Sequence, residues 1–93
     1  MLISIIVPCY NEQEALPYFY KAICDEAEKL RPRELEIIFV DDGSSDGTAR
    51  LIKELAREDG RVRYLIFSRN FGKEAAMYAG LEHARGDYIG IMD

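Results

Sequence analysis

Two adjacent carboxylates, Asp41 and Asp42, end an apolar run and are followed at once by Gly43-Ser44-Ser45-Asp46-Gly47-Thr48. The run, Ile37 to Val40, is rich in β-branched and aromatic residues and reads as a strand buried on both faces. The pair therefore stands at the carboxyl end of a central strand, where open α/β sheets bind ligands. Asp46 or Ser45 can cap the helix that follows, and one cap does not need two more acids. Asp41 and Asp42 are thus candidate binding residues, and Asp46 a turn or cap residue. Similar polar groups follow the other apolar runs: Pro8, Tyr10, Asn11 and Glu12 after the first, Arg69, Asn70 and Lys73 after the third, and Asp93 after the fourth. An aromatic face, amide and carboxylate acceptors, two cations and a strand-end acid suit a nucleotide. A carboxylate can accept from a base imide or a ribose hydroxyl, and Arg69 or Lys73 can offset diphosphate charge. Asp93 can offer a hard oxygen to a divalent metal, though one carboxylate makes a weak site.

Each residue also has a plainer reading. Tyr10 can pack over its loop, Glu12 can cap the first helix, Arg69 can be a solvated charge and Lys73 a first-turn residue. Their convergence decides for a site, because loops after parallel strands all leave one sheet edge.

The elements that must position these groups are legible from periodicity. Leu2 to Val7 reads as a first buried strand ended by Pro8, which cannot donate to a sheet ladder. Pro17 fits a first helical turn. Leu16, Phe19 or Tyr20, Ile23, Ala27 and Leu30 then form one apolar stripe. Arg31-Pro32-Arg33-Glu34 breaks that helix. A second helix carries Leu51, Ile52, Leu55 and Ala56, and Asp59-Gly60 supplies a left-handed stop. Val62 to Phe67 is a third strand. A third helix spans about Lys73 to Ala84, its Ala75, Ala76, Ala79 and Gly80 allowing close approach to the sheet. Asp87 to Met92 is a fourth strand. The β-α-β-α-β-α-β rhythm gives an α/β three-layer sandwich around a parallel four-stranded sheet. One domain, 1–93, accounts for the chain; its last strand, left uncovered, predicts an N-terminal portion of something longer, with self-association possible at the open edge.

Composition narrows the classes. Ninety-three residues with 48% hydrophobic content suit one small domain, and a net charge of −5 argues against nucleic acid as partner. Cys9 and Cys24 lack metal-ligand or redox spacing, and the lone His83 cannot complete a zinc site. They read as core or pocket-lining thiols in a reducing compartment. With no leader and no apolar run of about 20 residues, the chain reads as cytoplasmic. A dinucleotide-binding loop and a P-loop are both excluded by Pro8-Cys9-Tyr10-Asn11-Glu12 and the absence of their glycine patterns. A receiver domain would place its acidic pair after the first strand and a phosphorylatable Asp after the third, where Ser68 and Arg69 stand.

Ile5-Ile-Val-Pro-Cys-Tyr-Asn-Glu12 together with Val40-Asp-Asp-Gly-Ser-Ser-Asp-Gly-Thr48 resembles the start of the family 2 inverting glycosyltransferases, which have a GT-A, Rossmann-like fold. Ser68-Arg-Asn-Phe-Gly-Lys-Glu-Ala-Ala76, with Ala79-Gly80-Leu81 and Gly86-Asp87, is similar to the branch that glycosylates polyprenyl phosphates, of the dolichyl-phosphate mannose synthase and bactoprenol glucosyltransferase type. The resemblance implies that Pro8, Tyr10 and Glu12 line the nucleotide pocket, that Asp42 bonds the base with Asp41 in support, and that Arg69 and Lys73 lie near the donor. It implies that Asp93 is the first acid of an Asp-x-Asp contacting ribose and Mg²⁺ or Mn²⁺. The implied full enzyme moves a sugar from a UDP- or GDP-linked donor to a polyprenyl phosphate at the cytoplasmic face of a membrane. A polysaccharide or protein acceptor, or a non-catalytic nucleotide-binding module, is the alternative. The second acid, the acceptor half and any catalytic base are not among these 93 residues, so no catalytic residue is assigned and no turnover is expected.

Overall fold

The computed structural model describes residues 1–30 and 34–92. The expected break at Arg31-Pro32-Arg33, and Asp93 with its expected role in metal binding, lie outside the described residues. Seven elements alternate: β1 (Leu2–Cys9), α1 (Leu16–Leu30), β2 (Glu34–Asp41), α2 (Thr48–Glu58), β3 (Val62–Ile66), α3 (Lys73–His83) and β4 (Tyr88–Ile91). The strands pair in the order β3-β2-β1-β4, all parallel. The two most apolar strands thus occupy the centre, as doubly buried strands must.

Alternation along the strands builds two cores. Val7, Cys9, Ile37, Phe39 and Val62 pack with Leu16 and Ile23 of α1 and Ile52 of α2. On the other face Ile6, Ile38 and Val40 meet Ala76 of α3. That helix lies close to the sheet, as its small residues predict: a Cβ on Gly80 would stand 2.5 Å from Cγ2 of Ile6. β4 is an outer strand, with Tyr88, Ile89 and Ile91 all exposed.

Two expectations change. Pro8 does not end β1; it pairs with Val40 inside the strand. The backbone of Ile6 faces β4, and the N–H of Met92, just past that strand, donates to its carbonyl, while Cys9 faces β2. Pro8 shares the parity of Ile6, so the N–H it lacks would face the β4 side of β1, beyond the Ile6–Ile91 pair, and the β1–β2 ladder loses no bond. Gly60 is not a left-handed stop, since the positive-φ glycines are Gly43 and Gly72. Instead Asp59 turns extended and its N–H still reaches the Leu55 carbonyl. The Asp59 carboxylate holds that corner by accepting from Tyr20 Oη at 2.6 Å and from Arg61.

At the edge of the sheet away from the βα loops, Glu36 is 2% exposed. It accepts from the Ser4 hydroxyl, Nη1 of Arg63 at 2.8 Å, the Arg85 N–H at 2.7 Å and the Arg85 guanidinium. Burial pushes its carboxyl upward, but these donors outweigh it and bring the pKa down to about 2. The cluster joins β1, β2, β3 and the turn into β4 through one carboxylate.

Candidate nucleotide-binding site

The β1–α1 and β2–α2 loops are laced together by side chains. The Asn11 N–H donates to Ser44 Oγ at 2.8 Å, and the Asn11 side-chain carbonyl accepts from the Ser45 N–H at 2.8 Å. The Glu12 N–H donates to Thr48 Oγ1, and the Gly47 N–H to Gln13 Oε1. Asn11 takes a positive φ of 50° to do this, a conformation asparagine tolerates better than most residues. Asp46 accepts from the Thr48 N–H at 2.9 Å and from the Thr48 hydroxyl, and the hydroxyl bond holds its pKa below the usual carboxylate range. It therefore serves the start of α2, although Gly47 occupies the position immediately before the helix.

The two adjacent aspartates point to opposite faces of β2, as strand geometry requires. Asp41 is 1% exposed and accepts from both the N–H and the hydroxyl of Ser44. Asp42 is 4% exposed. Its carboxylate accepts from the Phe71 N–H at 2.7 Å, the Gly72 N–H at 3.1 Å and Asn70 Nδ2 at 3.0 Å. A strand end would leave Asp42 exposed, but here the β3–α3 loop folds over it and delivers three donors to it. Gly43 makes that closeness possible. It has φ +74°, and a Cβ there would lie 2.2 Å from the Arg69 carbonyl carbon.

Five of the sequence candidates converge. Pro8, Tyr10, Glu12, Asp42 and Lys73 line one pocket of about 120 Å³, joined by Cys9 and Ala76. Asn11, Asp41 and Arg69 do not line it. Asn11 and Asp41 are turned to the loop contacts above, and exposed Arg69 stacks over the Phe71 ring at 4.7 Å. Burial, with Asp41 and Glu12 adding charge repulsion, pushes the Cys9 thiol up to about 12; it lines the pocket as a neutral group. The residues missing from the sequence-derived site are Gly43, Gln13, Thr48 and Ala76. A glycine directly after an acidic pair is a readable turn signal, whereas the cross-loop roles of Gln13 and Thr48 have no local signature. Among the described residues, no three His, Cys, Asp or Glu side chains gather as a metal site, and no helix is long and apolar enough to cross a membrane.

Comparison with known proteins identifies the family and the fold. The family model described as "Glycosyl transferase family 2" matches residues 4–93. The chain is 52% identical over 89 residues to the bactoprenol glucosyl transferase of Shigella phage SfV, covering 96% of this chain and 29% of that protein. It is 45% identical to the undecaprenyl-phosphate 4-deoxy-4-formamido-L-arabinose transferase of Pseudomonas fluorescens, covering 98% of this chain and 27% of that one. The chain thus spans under a third of the length of these relatives. Among solved structures it is similar to S. aureus TarS 1-349, with a TM-score of 0.79 and 26% identity over 100% of this chain and 27% of that one. It is also similar to the mannosyltransferase PcManGT from Pyrobaculum calidifontis in complex with GDP-Man and Mn²⁺, with a TM-score of 0.73 and 30% identity over 94% of this chain and 25% of that one. The α/β fold with its parallel sheet matches these GT-A glycosyltransferase structures.

Proposed function

Because this chain belongs to glycosyl transferase family 2, we propose that its first three βα loops form the donor pocket of a nucleotide-sugar glycosyltransferase. One observation carries the reading: residues from the end of β1 and the loop after it, from the position just past β2 and from the first turn of α3 line a single pocket at the carboxyl edge of a parallel sheet. Tyr10 and Pro8 offer an apolar wall for a base. Glu12 offers carboxylate oxygens to an imide or a ribose hydroxyl, and Lys73 brings positive charge for a diphosphate. Asn11 and Asp41 support the pocket by shaping its loops, and Arg69 stands outside it, available to a larger donor.

The names of the similar transferases favour a polyprenyl phosphate as the sugar acceptor of the whole enzyme. Such a phosphate is already ionised at neutral pH, so attack on the anomeric carbon needs no strong general base. The PcManGT complex holds Mn²⁺, but the described residues here furnish no ligand set for one. The Mg²⁺ or Mn²⁺ expectation rests on Asp93. Self-association at the β4 edge is a separate proposal, read by light scattering across a concentration series, where a strict monomer removes it.

The test is a titration of the chain with UDP and with GDP, each with and without Mn²⁺, followed by amide NMR. Shifts at Tyr10 to Glu12, Asp42 to Ser44 and Arg69 to Lys73 are expected. An unperturbed spectrum at millimolar nucleotide would sink the donor-pocket reading for this chain.

A further inference from the structure

We propose that Asp46 and Thr48 are positioning residues for the pocket, fixing the backbone from which the Glu12 carboxylate reaches it. Thr48 is fully buried at the start of α2, and its hydroxyl stands between two partners. It donates to the Asp46 carboxylate and accepts the Glu12 N–H at 2.9 Å. A hydroxyl has a single hydrogen to give. By taking it, Asp46 leaves a lone pair of Thr48 Oγ1 to face the Glu12 N–H. The other Asp46 oxygen takes the next amide directly, the Gln13 N–H at 3.3 Å. Between these two residues the Gly47 N–H donates to Gln13 Oε1 at 2.9 Å. Asp46, Gly47 and Thr48 thus each hold Glu12 or Gln13.

Glu12 gains a fixed origin from this. It follows Asn11, whose positive φ of 50° is uncommon for a residue with a side chain. Its carbonyl accepts the Leu16 N–H at 2.8 Å. With the N–H held by Thr48 and the carbonyl by the start of α1, both peptide groups beside the Glu12 Cα are tied. The side chain then leaves from a set point to line the pocket, which neither Asp46 nor Thr48 does. Asp46 and Thr48 act on the pocket through Glu12. The meeting of Glu12 with a nucleotide rests on the donor-pocket reading; the tie between the two loops stands on the geometry alone.

Amide exchange and ligand titration on the isotope-labelled chain test this role. Thr48→Val keeps the shape of the side chain and removes the acceptor. Exchange at Glu12 is expected to accelerate roughly ten- to hundredfold, with Ile37 and Phe39 unchanged. Affinity for UDP or GDP is expected to fall roughly tenfold. Affinity for inorganic pyrophosphate, which meets the charge of Lys73 and not Glu12, is expected to be retained. Thr48→Ser keeps the hydroxyl and is expected to match the unmodified chain in all three readings. Asp46→Ala, at an exposed position, is expected to speed exchange at Glu12 and Gln13 and serves if Thr48→Val fails to fold. Unchanged exchange at Glu12 in both variants overturns the proposal. So does nucleotide affinity that stays the same once the Glu12 amide is freed, or an equal loss for nucleotide and pyrophosphate, which would make the pair a general support of the fold. If the unmodified chain binds neither nucleotide, the donor reading fails while the exchange rates still decide whether Asp46 and Thr48 fix the loop.

Discussion

Adjacent residues of one type can be driven to different roles by strand geometry alone. Asp41 and Asp42 are chemically identical and neighbours in sequence, yet the pleat sends them to opposite faces of β2. Asp41 closes its own turn through Ser44, and Asp42 reaches across to another loop. Gly43, directly after them, is the position where substitution is most clearly constrained. Gly43→Ala must hold an alanine at φ +74° with its Cβ inside contact distance of the Arg69 and Asn70 backbone. A loss of roughly 2–4 kcal/mol is expected from strain and displacement of the third loop. Gly60→Ala is the control, since nothing lies within 4 Å of its Cβ and its φ is not positive; it is expected to be neutral or to add up to about 1 kcal/mol. Urea unfolding of the two variants checks both, and equal midpoints would refute the constraint at Gly43.

Individual elements are tied at both ends, by different chemistry. At the loop edge the ties are neutral hydroxyls, amides and backbone groups, with Asp41, Asp42 and Asp46 as acceptors. At the opposite edge they run through Glu36, which holds β2 to β1, β3 and the turn before β4. The folded-state pKa of Glu36 is about 2, below its ordinary 4.5. A depressed carboxylate contributes stability that is complete above about pH 4.5 and lost as pH falls toward 2. A shift of this size corresponds to roughly 3 kcal/mol. Asp59, also depressed by its bonds to Arg61 and Tyr20, acts in the same direction at acid pH. Glu36→Gln is therefore expected to cost about 3 kcal/mol at neutral pH and to flatten the pH dependence of the urea midpoint between pH 4.5 and 2. An unchanged slope in that variant would remove Glu36 as the acid-sensitive tie.

Across the whole molecule, stability follows the sheet order. β2 and β1 lie between other strands and carry the fully buried Ile6, Ile37, Phe39 and Val40. β4 is four residues long, paired on one side, and exposes Tyr88, Ile89 and Ile91. Local opening is easiest where few apolar groups are buried and the backbone bonds are near solvent. Native-state hydrogen exchange is accordingly expected to be slowest at Ile37 to Val40 and fastest among strand amides at Tyr88 to Ile91. Uniform protection across the four strands would show instead that the chain opens only as a unit. The pocket proposed for the donor lies at the ends of β1 and β2, the two central strands, where exchange is expected to be slowest.

Much of this protein was determined by the sequence alone. Four apolar runs alternating with three amphipathic or small-residue helices leave a parallel sheet as the consistent arrangement, because hydrophobic period and connection length are local properties. The convergence of Pro8, Tyr10, Glu12, Asp42 and Lys73 followed from it, since parallel strands send every βα loop to one edge. Three features depended on contacts between distant segments. Pro8 stays in its strand because its missing donor faces the outer, β4 side and leaves the ladder with β2 intact. The left-handed glycine after the acidic pair is required by a backbone some 26 positions away. Asp42 is buried because a loop beginning at Phe67 folds back over it. The sequence names the donors and acceptors; only the folded chain decides which of them are already used by each other.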